Sequence, residues 1–241
     1  MRFHLLASGS KGNCFVLIGN DTKIVIDCGS SKRHLLKSFE SVNVDYHTVD
    51  GLLLTHTHSD HISQLRMFNS TKIYSPFAVD GYLWQQVIPF SSFNIKEFKI
   101  NPIPLSHDSG LTLGYIIEDK MEKIVYITDT GYLKQDYYPL IANADYYVME
   151  SNHDIKMLMD SRRPYPLKQR IISDNGHLDN ETSSDILAQV IGDRTKEIVL
   201  AHISEEANRP EIALKTIKNK ITNDKVKIQT AGQFSILTGG R

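Results

Sequence analysis

The segment Thr55-His56-Thr57-His58-Ser59-Asp60-His61 follows the apolar run Gly51-Leu52-Leu53-Leu54, so four metal-ligating side chains fall within six residues at the end of a buried strand. Such crowding of imidazoles and a carboxylate suits a cation better than a core. His56 and His58 can share one face of an extended segment, while Asp60 and His61 can turn toward a second position as the chain enters a helix. Further ligand-type residues recur just after apolar strands: Asp27 after Ile24-Val25-Ile26, His107 after Leu105-Ser106, Asp129 after Ile124-Val125-Tyr126-Ile127-Thr128, and His202 after Ile198-Val199-Leu200-Ala201. Taken singly, each reads as a cap or a surface residue. Together, at strand ends, they describe an open metal site. Every donor is nitrogen or oxygen and none is thiolate, which makes Zn²⁺ the default ion and leaves Mn²⁺ or Fe²⁺ acceptable.

Three other segments carry possible chemistry. Ala7-Ser8-Gly9-Ser10-Lys11-Gly12-Asn13-Cys14 is a small-residue loop between two strands. It reads either as a tight turn or as a phosphate receptor built from backbone N–H groups, Ser10 and Lys11; with no helix following, it is not a Walker loop. Glu150-Ser151-Asn152-His153-Asp154 follows an apolar strand, and Asn175-Gly176-His177-Leu178-Asp179-Asn180 precedes a helix. His153 and Asn180 read equally as helix-start residues and as substrate contacts.

The elements that must position these groups mix strands and helices throughout. Strands are expected at Arg2–Ala7, Cys14–Ile18, Lys23–Asp27, Val49–Thr55, Thr71–Ser75, Ile95–Pro102, Leu111–Glu118, Lys123–Thr128, Asp145–Glu150, Glu197–His202, Lys225–Thr230 and Gln233–Leu237. A helix over Ser31–Val42 places Leu35, Leu36 and Phe39 on one side, and further helices are expected at Ser183–Ile191 and, after Pro210, at Glu211–Ile221. No repeat, low-complexity tract or Gly/Ser linker divides the chain, so residues 1–241 read as one layered α/β domain.

Composition bounds the rest. The 27 Lys and Arg against 28 Asp and Glu give a formal net charge of -1 with ten His neutral, which excludes a basic coat but not a local basic patch. Arg162, Arg163, Lys168 and Arg170, with Tyr165 among them, form one such patch, and Lys11, Lys32 and Arg33 another. No apolar run approaches the roughly 18 residues of a membrane span. The N-terminal Phe3, Leu5, Leu6 and Ala7 are interrupted by His4 and read as a first strand rather than a signal peptide. Cys14 and Cys28 are the only cysteines, so a reducing, cytoplasmic setting is expected.

Taken together, the residues from Asp27 through the His-x-His-x-Asp-His motif to His107, Asp129 and His202 resemble the metallo-β-lactamase superfamily pattern, with no expected position missing. The resemblance implies an αββα sandwich, two packed mixed sheets flanked by helices, with a two-metal site at one edge. It implies one ion held by His56, His58 and His107, another by Asp60, His61 and His202, a bridge by Asp129, and support of the ligands from behind by Asp27. Two such ions can share a hydroxide whose pKa is lowered from 15.7 toward 7 and can clamp both oxygens of an in-line displacement.

With the Ser-Gly-Ser loop and the segments around Glu150 and His177, the chain further resembles the YycJ/WalJ/VicX family. That likeness implies a cytoplasmic 5′-to-3′ DNA exonuclease, contacts to substrate from Ser8, Ser10, Lys11, Asn13, Asn152, His153 and Asn180, and leaves room for protein partners in DNA repair. Asp179 stands where a Ser is commoner. The phosphodiesterase branches RNase Z and PhnP are similar in the same segments, which implies His177 as the general acid and Glu150 as its orienting partner. Only Gly131 to Ala201 separates Asp129 from His202, too little for the inserted β-CASP domain of RNase J. The rival readings are a small-molecule metallohydrolase opening a cyclic phosphodiester, lactone or thioester, and a regulatory binding protein. Oligomeric state is open.

Overall fold

The computed structural model describes residues 1–241. One sheet contains β1 (Arg2–Ala7), β2 (Cys14–Ile18), β3 (Lys23–Ile26), β4 (Gly51–Leu53), β5 (Ile73–Ser75) and β6 (Trp84–Gln86). The second contains β7 (Phe93–Ile95), β8 (Phe98–Leu105), β9 (Thr112–Glu118), β10 (Lys123–Ile127), β11 (Tyr146–Glu150), β12 (Glu197–Ala201) and β13 (Lys227–Thr230). The chain then returns to the first sheet as β14 (Leu237–Gly240), beside β1. The helices are α1 (Lys32–Ser41), α2 (Ser59–Ile62), α3 (Tyr138–Ile141), α4 (Ile155–Asp160), α5 (Tyr165–Ile172), α6 (Asn180–Val190) and α7 (Pro210–Lys220).

The period-two alternation of apolar residues sorts each strand between two layers. Ile24 and Ile26 of β3, and Ile124 and Tyr126 of β10, enter the core between the sheets, with Phe3, Phe15, Phe98 and Tyr115. Val25 faces instead the layer under α1, with Leu35 and Phe39, while Val125 and Ile127 face the layer under α6 and α7, with Leu187 and Ile217. The result is the expected sandwich of two mixed sheets flanked by helices. In its central layer Tyr146, Phe3, Phe15 and Tyr126 touch in that order, with ring centroids 5.1 to 5.7 Å apart. Each such ring contributes on the order of 1.5–3 kcal/mol of apolar burial.

Strand direction decides where function can sit. β3 and β4 are parallel neighbours, as are β10, β11 and β12, and β8 runs with β10 because β9 is antiparallel to both. The carboxyl ends of all these strands therefore open on one edge of the sandwich. Two bonds tie the sheets together there: Leu113 N–H donates to the Thr55 carbonyl at 3.0 Å, and the Tyr115 hydroxyl donates to the Leu54 carbonyl at 2.5 Å.

Several boundaries differ from the sequence reading, each for a local reason. The expected strand Ile95–Pro102 is a hairpin instead, turned by Lys96 at a left-handed φ of 49°. Val49–Thr55 shrinks to Gly51–Leu53 in the ladder, and Thr55 is taken by the carboxylate of Asp27. The last strand starts at Leu237 rather than Gln233, because the Gln233 amide bonds to the distant Ser-Gly-Ser loop. Helix α6 begins three residues early, since Asp179 caps it by accepting from Glu181 and Thr182 N–H. Leu36 stays at the surface while Leu35 and Phe39 are buried, and β6, α4 and α5 were not legible in the sequence. Cys14 and Cys28 are free and buried, and no helix is long and apolar enough to cross a membrane.

One glycine fixes the approach of the site loops. Asn13 N–H donates to the Asp60 carbonyl, Cys28 N–H to that of His61, and Gly29 N–H to that of Asn13, at 2.7 to 2.9 Å. A Cβ on Gly29 would lie 1.5 Å from the Asp60 carbonyl oxygen. Gly29→Ala should therefore cost about 1–3 kcal/mol or more. An unchanged urea midpoint would contradict this close packing.

Candidate metal centre

Three of the positioning residues leave their strands by the same device. Asp27 after β3, Asp129 after β10 and His202 after β12 adopt left-handed φ values of 59°, 57° and 54°. Asp and His tolerate that region better than most residues, yet it still costs on the order of 1–2 kcal/mol each. In return each side chain leaves the alternating sheet pattern at the common edge.

The imidazoles form two groups. Ligating atoms of His56, His58 and His107 lie within 4.8 Å of one another, as do those of Asp60, His61 and His202. His56 and His58 come from the extended stretch before α2, whereas Asp60 and His61 come from its first turn. Asp129 sits between the groups, with one carboxylate oxygen 3.2 Å from His61 Nε2 and the other 3.5 Å from His202 Nε2.

Two buried carboxylates set the ring orientations. Asp27 accepts from Thr55 N–H at 2.9 Å, the Thr55 hydroxyl at 2.8 Å and His61 Nδ1 at 2.7 Å. Because that hydroxyl donates to Asp27, its oxygen is left to accept from His56 Nδ1 at 2.9 Å. Burial pushes Asp27 up, and the bonds from His61 and Thr55 oppose the shift. On the other side, Glu150 Oε1 accepts from His177 Nδ1 at 2.7 Å and His202 Nδ1 at 2.9 Å, while Oε2 accepts from Thr130 and Leu178 N–H. Burial would raise Glu150, but the charge of His177 and these bonds bring it down to about 2. An ionised acceptor requires both imidazoles to donate through Nδ1, which turns each Nε2 toward the site. His107 is held by the Gly176 carbonyl at 3.1 Å from Nδ1.

These residues fit a divalent metal. Nε2 of His56, Nε2 of His202 and Oδ2 of Asp129 are buried without any hydrogen-bond partner. An orphaned buried polar atom costs about 1–3 kcal/mol, and here three of them belong to the two groups and to Asp129 between them. Burial, aided by the neighbouring His61, pushes His56 down to about 2, the neutral state a ligand needs. Asp129, Glu150, His177 and His202 are also close enough to hold an ion. However, both Glu150 oxygens are already saturated by two donors each.

Beside the ligands opens a cavity of about 140 Å³, lined by Ser10, Asn152, Arg163, Arg170 and His177 among others. Most of the expected contacts are engaged by neighbouring protein groups. Ser8 is buried and its hydroxyl accepts from His202 N–H at 2.8 Å, while Asn152 Nδ2 donates to the His202 carbonyl at 2.9 Å. Asn13 is buried, braces Gly9, and lies 2.9 Å from His61 Nε2. Asn180 is bonded to Ser151 and Asn208 in the interior, and His153 is buried away from the cavity, so substrate contact is corrected for both.

The loop cradle also needs correction. N–H groups of Ser8, Gly9, Lys11, Gly12 and Asn13 are all spent on internal acceptors, leaving the exposed Ser10. Lys11 pairs with Glu205 at 2.5 Å, and Lys168 is turned inward to the Met159 and Ser161 carbonyls. Arg163 pairs with Glu206, and Arg170 with Asp108. The sequence reading missed Thr55, Asn208 and Gln233 as supports; Gln233 lies 222 residues from its partner Lys11, and no local signal marks it.

The family described as Beta-lactamase superfamily domain matches residues 22–203. The chain is 35% identical over 228 residues to exodeoxyribonuclease YycJ of Bacillus anthracis, covering 88% of this chain and 86% of that protein. It is 32% identical over 236 residues to exodeoxyribonuclease WalJ of Streptococcus pneumoniae, covering 91% and 88%. Among solved structures, the metallo-β-lactamase fold protein YhfI of Bacillus subtilis has a TM-score of 0.75 at 16% identity, covering 98% of each chain, a likeness of fold alone.

Two outcomes follow from the hydrogen bonds. Burial works against protonated His202, but Asp129 and Glu150 outweigh it and raise the group to about 9; His61 is raised likewise by Asp129 and Asp27. At pH 7 the metal-free site therefore holds protons that Zn²⁺ must expel, so affinity should fall as pH is lowered. Calorimetric heats should differ between buffers of different ionisation enthalpy, and equal heats would refute proton release. Asp27→Asn should weaken Zn²⁺ about 10- to 100-fold by loosening His56 and His61; competition with a chromophoric chelator measures it.

Proposed function

This chain belongs to the metallo-β-lactamase superfamily and, within it, to the YycJ/WalJ family, and on that footing we propose that it is a metal-dependent DNA exonuclease degrading from the 5′ end. The observation that carries this reading is His177, on the wall of the cavity that also exposes His107 and His202, with its Nδ1 held by the buried Glu150. Two divalent ions, Zn²⁺ or Mn²⁺ with Fe²⁺ acceptable, would be held by the two groups and Asp129, and would supply a nucleophile at neutral pH and neutralise phosphate charge.

The protein's own groups do the rest. With Nδ1–H committed to Glu150, His177 has Nε2 as the ring nitrogen that can hand a proton to the departing 3′-oxygen. That oxygen is a poor leaving group, and a positioned acid contributes about 10²- to 10⁴-fold. Arg163 and Arg170 line the cavity, each paired with an acidic neighbour that an incoming phosphate would have to displace, and the exposed Ser10 adds a neutral donor. Two free buried cysteines fit a reducing, cytoplasmic setting for such a nuclease. The names of the YycJ and WalJ relatives support the substrate class.

His177→Ala should slow DNA cleavage by about 10²- to 10⁴-fold yet spare bis(p-nitrophenyl) phosphate, whose nitrophenolate leaves without a proton. Equal losses on both substrates would remove the acid role. DNA labelled separately at each end should release the 5′ label first, and Asp60→Ala should abolish release. Early loss of the 3′ label would overturn the polarity, and an active mutant would overturn the site.

A further inference from the structure

A second cleft lies next to the metal centre and shares its backbone. Pro104, Leu105, Ser106, Tyr132, Lys134 and Tyr137 line an open space of about 210 Å³. Ser106 immediately precedes the ligand His107, and Tyr132 stands three residues after Asp129. The two meet in an isolated antiparallel bridge, with Gly131 N–H donating to the Ser106 carbonyl at 3.0 Å. The cleft is thus fastened to the same two segments that present His107 and Asp129.

Its chemistry is unlike that of the metal cavity. Tyr132 is 47% exposed although no structural hydrogen bond uses its hydroxyl, and Lys134 is exposed without an ion pair. Beyond Tyr137, the ring of Phe90 packs edge-on at a centroid distance of 5.6 Å. Phe90 is 58% exposed and holds a left-handed φ of 62°. A bulky residue in that region is a true conformational outlier, and such strain gathers at ligand-binding sites. An exposed ring, a second ring at the base and a free ammonium form the combination by which single strands are held: a face for a base and a charge for the backbone.

Resting on the reading of DNA as substrate, we propose that this cleft receives an unpaired nucleobase of the strand whose phosphodiester lies at the metal centre. Tyr132 provides the stacking face, Tyr137 and Pro104 the apolar floor, and Lys134 an ion pair with the neighbouring phosphate. The space suits a single planar ring system rather than a protein helix. The cleft makes the enzyme prefer ends whose terminal bases are frayed or single-stranded, because a base still stacked in a duplex cannot enter.

Steady-state kinetics on single-stranded DNA, on the same oligonucleotide with abasic terminal nucleotides, and on bis(p-nitrophenyl) phosphate test this directly. Tyr132→Ala should raise KM for intact single-stranded DNA by about 5- to 100-fold, the range that loss of one stacked base implies. It should leave bis(p-nitrophenyl) phosphate turnover unchanged, and Tyr132→Phe should restore the DNA value. The abasic oligonucleotide should be a poor substrate for wild type and indifferent to Tyr132→Ala. Wild-type DNA degradation with no effect of Tyr132→Ala, or equal KM for abasic and intact strands, overturns the cleft while leaving the nuclease reading intact. Equal damage to bis(p-nitrophenyl) phosphate turnover would assign Tyr132 to support of the metal centre instead. Wild-type protein that cleaves bis(p-nitrophenyl) phosphate but no DNA overturns both.

Discussion

Most of the imidazole orientations at the open edge depend, directly or through one hydroxyl, on hydrogen bonds from Nδ1 to buried carboxylates. Asp27 orients His61 directly and His56 through the Thr55 hydroxyl, while Glu150 orients His202 and His177 together. A buried charge left unpaired would be costly, so each carboxylate needs its full set of donors. Those donors come from different segments, and satisfying them fixes the relative position of strand ends from both sheets. The same bonds leave the Nε2 atoms of His56 and His202 with no partner in the protein. The folded chain thus carries a local deficit that a cation relieves, which couples metal binding to the order of the edge.

Around that edge, residues that look like substrate contacts in the sequence mostly hold other residues. The left-handed turn at His202 is gripped by Ser8 at its N–H and by Asn152 at its carbonyl. Asn180 and Asn208 join the segment after β11 to the start of α6. Small polar side chains suit this work because one amide can both donate and accept to backbone groups that no sheet or helix satisfies. Their burial leaves Ser10, Asn152, His177 and the two arginines as the groups that meet the cavity.

Charge is distributed in keeping with a nucleic-acid substrate despite a formal balance of -1. Lys11, Arg163 and Arg170 each have an acidic partner near the cavity, so the metal-free surface is close to neutral there. Positive potential would come chiefly from bound cations, which confines strong phosphate attraction to the catalytic edge. Lys134, outside this set of pairs, lies on the aromatic side. The cavity beside the ligand groups is thus lined mainly by charged and polar side chains, and the second cleft mainly by aromatic and apolar ones.

The candidate donors and the layered architecture were legible from sequence because both are local patterns. Apolar strands ending in His56, His58, Asp60, His61, His107, Asp129 and His202 declare themselves by spacing and by the period-two alternation that buries each strand on both faces. Helix starts and turns inside apolar runs were less legible: nothing in Ile95–Pro102 announces the left-handed Lys96, and Asp179 competes with Asn180 and Ser183 as a cap. Which polar side chains face substrate and which face inward was decided only by tertiary structure. Ser8, Asn13 and Asn180 have the same composition signal as Ser10 and Asn152; their roles follow from partners tens to hundreds of residues away. The sequence determined the donors available to a metal. The packing of the two sheets determined which lone pairs remained free to meet it, because a hydrogen-bond partner is chosen by distance in space rather than along the chain.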